Sequence, residues 1–173
     1  ITTLMQRTPP VHYVAGNSLV LDVGQALDSK TLIHNLTLNG YRAVDTVYEH
    51  GEYAVRGSLL DIFPMGSQVP YRIDLFDAEI ESLRTFDPEN QRTISKVESI
   101  RLLPAREFPL TEEGIRRFKL NWYRKFDGDP EACPLFNEIC AGRVPGGAEY
   151  FLPLFFDSCG TVFDYIPDHA ALI

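Results

Sequence analysis

Residues 48–87 read YEHGEYAVRGSLLDIFPMGSQVPYRIDLFDAEIESLRTFD. This stretch decides the fold, because it packs several short β-type runs, each closed by turn residues, into forty positions. Only Asp77 and Ala78 separate the runs 70–76 and 79–86, a link short enough for a tight hairpin. The run 79–86 does not alternate strictly between apolar and polar residues, which predicts a β-bulge within it. We therefore expect a β-rich module with locally specified turns.

The run 70–76 alternates between two kinds of side chain. Its aliphatic positions point to one face of the strand, and Arg72, Asp74 and Phe76 point to the other. If the aliphatic face meets the core, Arg72 and Phe76 lie two pleats apart on the outer face. An exposed aromatic ring beside an arginine is the composition of a protein-binding hot spot. The alternative is a sheet covered on both sides, with Phe76 in the core.

The flanking sequence predicts further elements of this module. Asp28 or Ser29 caps a helix that runs to about Asn39 and stops at Gly40. The remaining predicted strands are residues 17–23, 44–47, 53–63 (one bent strand or two, bending at Gly57) and 93–103.

The character of the chain changes at Pro104. Thr111 caps a helix whose first turn carries two glutamates, which suits the helix dipole. Four apolar residues recur in this helix at helical spacing and predict a core face: Ile115, Phe118, Trp122 and Phe126. A second helix runs to about Ala141. Residues 162–166 and 170–173 are typical of strand ends in a second layer.

These elements predict an α+β or α/β chain in three parts. Residues 1–14 end a preceding α/β domain, residues 15–103 form a β-rich domain, and residues 104–173 form an α/β piece. The chain begins without an initiator methionine and ends in an apolar run, so we expect both ends to be cut from a longer protein.

The composition excludes several classes of function. A net charge of −8 argues against this segment wrapping a phosphate backbone, and its arginines suit an acidic protein partner better. The three cysteines are odd in number and lack CxxC spacing, which favours reduced thiols in a cytoplasmic protein. The four histidines are scattered, so no metal site is expected. There is neither a membrane-length apolar run nor a secretion signal.

Motifs for catalysis and cofactor binding are missing from the sequence. There is no G-x-x-x-x-G-K-[ST] loop to hold a triphosphate, and Gly146-Gly147 has no lysine after it. No G-x-S-x-G elbow is present, and no cysteine has an evident histidine partner. Glu79 and Glu81 share a strand face, but a solvated acidic edge explains them better than a catalytic pair. We expect no catalytic site and no cofactor in this segment.

Long motifs resemble a known family. They are LMQR (4–7), GYR (40–42), EHGEYAVRGSLLDIFPMGS (49–67), PYRIDLFDAEIESLRTFD (70–87), QRT (91–93), LLPAREFP (102–109), GGAEYFLPLFF (146–156) and FDYIPDHAAL (163–172). This combination resembles the amino-terminal UvrB-homology region of the bacterial transcription-repair coupling factor. UvrB itself shares the VRG–DIFP and FDDEIE patterns. However, Thr8-Pro9-Pro10 follows Arg7 at once and leaves no room for the aromatic hairpin with which UvrB grips damaged DNA.

The resemblance implies a non-enzymatic docking module that recruits UvrA to stalled RNA polymerase. The β-rich domain would correspond to the UvrA-binding domain 2 of UvrB, and the later piece to part of a degenerate, helicase-like domain 1. By motif match the UvrA-binding residues are Arg56, Arg72 and Phe76. We expect both arginines to be exposed and replaceable without loss of the fold. The family's translocase, which uses ATP and magnesium, and its sites for RNA polymerase and double-stranded DNA would lie in other domains.

Two alternatives stay open. In the first, the segment is part of a nucleotide-dependent unit, such as a UvrB-type damage-recognition protein; an intact GKT-type loop ahead of it in the full-length protein would favour this interpretation. In the second, the segment is an autoinhibitory clamp if the face that carries Arg56, Arg72 and Phe76 packs against the rest of its own protein.

Overall fold

The computed structural model describes residues 6–167, which divide into two compact units. One unit comprises residues 17–106 and is built on β-sheet; the other comprises residues 6–16 and 107–167 and is built on helices. The predicted α+β class is confirmed, because a β-rich domain is followed by helices. The domain boundaries that the sequence suggested, between residues 14 and 15 and between residues 103 and 104, stay a prediction.

Eight strands make up the sheets of the first unit. They are β1 (Leu19–Asp22), β2 (Arg42–Ala43), β3 (Glu52–Arg56), β4 (Leu59–Ile62), β5 (Tyr71–Phe76), β6 (Glu79–Phe86), β7 (Thr93–Val97) and β8 (Ser99–Leu102). Strands β2 to β7 form a six-stranded sheet in chain order, antiparallel except for the parallel pair β2–β3. Strands β1 and β8 form a separate antiparallel pair.

The hairpin between β5 and β6 has the predicted form. Asp77 and Ala78 both have positive φ angles, of 47° and 65°, so their twist matches that of the flanking strands. The predicted bulge is also present, because Asp74 pairs with Ser82 whereas Leu75 pairs with Ile80. The extra residue of β6 keeps its apolar side chains on the core face despite the broken alternation.

The helix α2 (Ser29–Leu38) completes the core of this unit. The Asp28 carboxylate accepts a hydrogen bond of 3.0 Å from the Thr31 N–H at the first turn, and Gly40 ends the helix with φ +88°. The helix and the sheet share one buried cluster, which includes Leu32, Leu36, Tyr53, Leu60, Ile62, Ile73, Ile80 and Leu83. Both predicted ends of the helix are confirmed.

Two strand predictions need correction. The strand expected at residues 44–47 is absent, and the short strand β2 (Arg42–Ala43) lies just before it. The Val44 N–H donates the last hydrogen bond between this strand and β3, to the Tyr53 carbonyl, and the chain then bends away. The single strand expected at residues 93–103 is two strands in different sheets. Val97 pairs with Leu83 and Ser99 pairs with Asp22, so the chain changes sheets at Glu98.

The second unit contains helices α1 (Val11–Gly16), α3 (Glu112–Lys125) and α4 (Pro134–Cys140), with 3₁₀ turns at Pro130–Ala132, Ala148–Phe155 and Val162–Tyr165. Thr111 caps α3 as predicted, accepting a hydrogen bond of 3.2 Å from the Gly114 N–H. Phe118 and Trp122 of α3 are buried among aromatic rings, with Phe118 stacked 4.9 Å from Phe155. Phe126, the last residue of the predicted core face, is 40% exposed and lies at its edge.

The strand end predicted at residues 162–166 is wrong. Thr161 and Asp164 form a reciprocal capping box, which starts a 3₁₀ turn there instead of an extended strand. The strand end predicted at residues 170–173 lies outside the described residues. Within residues 6–167, none of the helices combines the length and the apolar character that a membrane crossing requires.

Candidate protein-docking site

One face of the six-stranded sheet carries the three predicted binding residues in three successive rows. Side chains directly opposite each other on antiparallel strands project from the same face. The first row is Ala54, Asp61, Arg72, Arg84 and Lys96; the second is Arg56, Leu59, Asp74 and Ser82; the third is Phe76 and Glu79. We call these residues the docking face. Its first two rows carry four cations and two carboxylates, in a chain of net charge −8.

Asp61 is the one carboxylate of the first row. Its neighbours in the motif LLDIF, Leu60 and Ile62, point into the core, so alternation directs the Asp61 side chain to the docking face. The carboxylate is only 1% exposed, yet it meets two guanidinium groups. Arg72 donates to it from Nε at 2.7 Å and from Nη2 at 2.8 Å, and Arg56 donates to Oδ2. The buried negative charge is thereby neutralised.

The guanidinium of Arg72 is fixed by contacts with three residues, Asp61, Gln91 and Phe86. Its side chain is 16% exposed, its guanidinium lies 4.8 Å above the ring of Phe86, and its Nη1 donates to the Gln91 carbonyl at 3.4 Å. Hydrogen bonding to Asp61 raises the pKa of the Arg72 guanidinium above its usual value, so it stays charged. Arg72 is a largely buried member of an ion-pair network, which corrects the expectation that it is exposed.

A small apolar cluster explains this burial. It consists of Ala54 from the first row together with Val44, Val47, Phe63 and Phe86, and it lies on the same side of the sheet as the docking face. The sheet is therefore covered on both sides at the end that carries Arg72. This part of the alternative interpretation is correct.

The other end of the docking face is open. Phe76 in the third row is 66% exposed, so it is not a core residue. Between it and Arg72, Asp74 accepts a hydrogen bond of 2.8 Å from Arg84. Arg56 in the second row is half-exposed even though it contacts Asp61. A protein that binds at this end would contact the exposed ring of Phe76 and the guanidinium of Arg56, which Asp61 holds in place.

Sequence reasoning missed two residues that organise the face, Asp61 and Gln91. A signal for Asp61 was present, because a single carboxylate between aliphatic residues of a strand needs a cationic partner once it is buried. No local signal marks Gln91. Its contacts with Arg72 and Val47 span 19 and 44 positions of the chain.

The described residues offer little reactive chemistry elsewhere. Between residues 6 and 167, no three His, Cys, Asp or Glu side chains are grouped for metal binding. Burial raises the pKa of the Cys140 and Cys159 thiols, which disfavours the reactive thiolate form. A cavity of about 460 Å³ in the helical unit is lined by Arg7, Glu107 and Tyr150, among others.

Comparison with known proteins identifies the family. Residues 19–108 match the UvrB interaction domain, and the chain belongs to this family. Over its whole length the chain is 45% identical to the transcription-repair-coupling factor of Escherichia coli K12 and 47% identical to that of Haemophilus influenzae. The corresponding factor of Bacillus subtilis 168 is 28% identical, again over the whole chain. The resemblance noted in the sequence is confirmed. The chain spans about 15% of the length of these relatives.

Proposed function

We propose that this chain is a non-catalytic docking module of a transcription-repair coupling factor, and that it binds UvrA. Through this contact the longer protein recruits the excision-repair machinery to stalled RNA polymerase. Identity of 45–47% to two coupling factors and the match to the UvrB interaction domain support this role.

The observation that carries the proposal is the exposed ring of Phe76 on a face rich in arginine. Aromatic and arginine side chains are enriched among residues that dominate binding energy. Phe76 projects from a strand paired with β4 and β6, and Arg56 is held by the buried Asp61. The backbone that carries Phe76 and the guanidinium of Arg56 are thus held in place before binding, which lowers the entropy cost of association. The excess of cations in the first two rows suits an acidic surface of UvrA.

The remaining activities belong, in this proposal, to other parts of the longer protein. These are ATP- and magnesium-dependent translocation, the binding of RNA polymerase and the binding of double-stranded DNA. This chain contributes the UvrA contact and no catalytic group.

Calorimetric titration of the purified chain into UvrA tests the proposal. We expect saturable binding of one chain per UvrA docking surface, and loss of that binding when excess UvrB occupies the same surface. A wild-type chain that releases or absorbs no heat, and does not co-elute with UvrA, would contradict the proposed function. Simultaneous binding of the chain and UvrB would contradict the shared surface.

A further inference from the structure

Gln91 occupies an unusual backbone conformation in the loop between β6 and β7. Its φ is +62°, in the left-handed region that residues other than glycine, asparagine and aspartate seldom adopt. Its N–H donates a hydrogen bond of 2.8 Å to the Asp87 carbonyl. Strained backbone of this kind persists only where surrounding contacts hold it.

The side chain of Gln91 provides those contacts. Its amide nitrogen donates to the carbonyls of Pro88 at 2.7 Å and Val47 at 3.1 Å. Its Oε1 is buried with no hydrogen-bond partner among residues 6–167. Reversing the amide would place that oxygen against two carbonyl oxygens, so the two donated bonds determine its orientation. The side chain thus ties the loop to Val47, a residue of the apolar cluster beside Arg72.

The backbone carbonyl of Gln91 points at Arg72. Asp61 accepts from Nε and Nη2 of that guanidinium, and the Gln91 carbonyl accepts from Nη1. These three acceptor oxygens define the plane of the guanidinium, and its Cζ lies 4.8 Å from the centroid of the Phe86 ring. Gln91 therefore holds the loop through its side chain and contacts Arg72 through its own carbonyl. Loss of the side-chain bonds would free the segment that carries this carbonyl.

We propose that Gln91 is a positioning residue of the docking face. Gln91 orients the guanidinium of Arg72, and Arg72 in turn fixes the carboxylate of Asp61. Asp61 then holds the half-exposed guanidinium of Arg56 in the position where it contacts an acidic side chain of the partner. This inference rests on the proposed function and deepens it. Gln91 affects binding through Arg72 and does not itself contact the partner.

Two alanine variants in the same loop separate positioning from general loop stability. Gln91→Ala loses two side-chain hydrogen bonds, of which one reaches Val47. Asn90→Ala also loses two, but both stay within the loop, to Asp87 and Arg92. We expect Gln91→Ala to weaken UvrA binding roughly fivefold to tenfold and Asn90→Ala by less than about twofold, measured well below both melting temperatures. Equal effects of the two changes would overturn the inference.

A second measurement requires no partner. NMR reports the rotation rate about the Cζ–Nη bonds of an arginine, which slows when Nη donates to a fixed acceptor. We expect this rotation to be severalfold faster at Arg72 in Gln91→Ala and unchanged in Asn90→Ala; an unchanged rate in Gln91→Ala would also overturn the inference. A wild-type chain that fails to bind UvrA contradicts the proposed function, whereas normal binding by Gln91→Ala contradicts the positioning role alone.

Discussion

Arg72 on β5 lies directly opposite Asp61 on β4, and its guanidinium binds the carboxylate through two hydrogen bonds of 2.7 and 2.8 Å. Paired donors of this kind match the planar geometry of a carboxylate and are stronger than single neutral bonds. Asp61 is 1% exposed, so water cannot replace this contact. Arg72 therefore serves the stability of the sheet as well as the geometry of the docking face.

The two arginines that contact Asp61 should differ in their effect on stability. Arg72→Ala leaves a buried carboxylate with Arg56 alone, and we expect it to lower the free energy of unfolding by about 3 kcal/mol. Arg56→Ala removes a half-exposed partner and should cost less than about 1 kcal/mol. Urea denaturation measures both. Equal urea midpoints for the two variants would show that the buried Arg72–Asp61 pair contributes no more to stability than the half-exposed Arg56–Asp61 contact.

Lysine should not replace Arg72. An ammonium group cannot donate to both carboxylate oxygens of Asp61 and to the Gln91 carbonyl in one plane. We expect Arg72→Lys to bind UvrA about as weakly as Arg72→Ala and to melt below the wild type. Wild-type affinity in this variant would mean that positive charge alone is sufficient.

Phe76 should contribute to binding without contributing to the fold. Because its ring is 66% exposed, Phe76→Ala should leave the melting temperature unchanged. Loss of a hot-spot side chain costs about 2 kcal/mol or more, which weakens UvrA binding roughly 30-fold. Tyr123→Ala is the matched control, since this ring is 61% exposed and belongs to the helical unit. Similar affinities for the two variants would contradict the role of Phe76.

Glu52 should make stability depend on pH in acid. Burial acts to raise its pKa, but hydrogen bonds from the N–H groups of Tyr48 and Glu49 and from Arg42 outweigh burial, so its pKa is lowered. A lowered folded-state pKa stabilises the fold above the unfolded value of about 4.3, and this contribution is lost as pH falls through the folded-state pKa.

The test of this dependence is urea denaturation of Glu52→Gln at neutral and acidic pH. We expect the variant to be less stable than the wild type at pH about 7, and the difference to shrink once pH falls below about 4. Glu49→Gln, whose carboxylate is 78% exposed, is the control and should follow the wild type. A constant difference across this pH range would exclude Glu52 as the source.

The chain should bind neither ATP nor duplex DNA appreciably. Its sequence lacks a phosphate-binding loop, and its net charge of −8 opposes contact with phosphates. Titration with labelled nucleotide and duplex at about 100 mM salt is the measurement. Saturable binding of either ligand with a micromolar dissociation constant would contradict this expectation.

The parts of the fold that sequence predicted correctly depend on neighbouring residues. The Asp28 cap, the stop at Gly40 and the hairpin at Asp77-Ala78 each involve groups within a few positions of one another. Alternation along β5 likewise placed Arg72 and Phe76 on one face. The turn at residues 162–166 has a local signal too, since Thr161 and Asp164 stand at capping-box spacing, but the apolar residues around Asp164 are equally typical of a strand.

By itself the sequence determined the β-rich module, its hairpin and bulge, and the shared face of Arg72 and Phe76. Only the tertiary structure decided which of these residues is exposed. The partners that bury Arg72 come from separate segments: Asp61 lies 11 positions away along the chain and Gln91 19 positions away. Period-two alternation assigns a side chain to a face of the sheet, but the burial of that face depends on which distant segments pack against it. The apolar cluster covers the end of the docking face that carries Arg72 and leaves Phe76 exposed at the other.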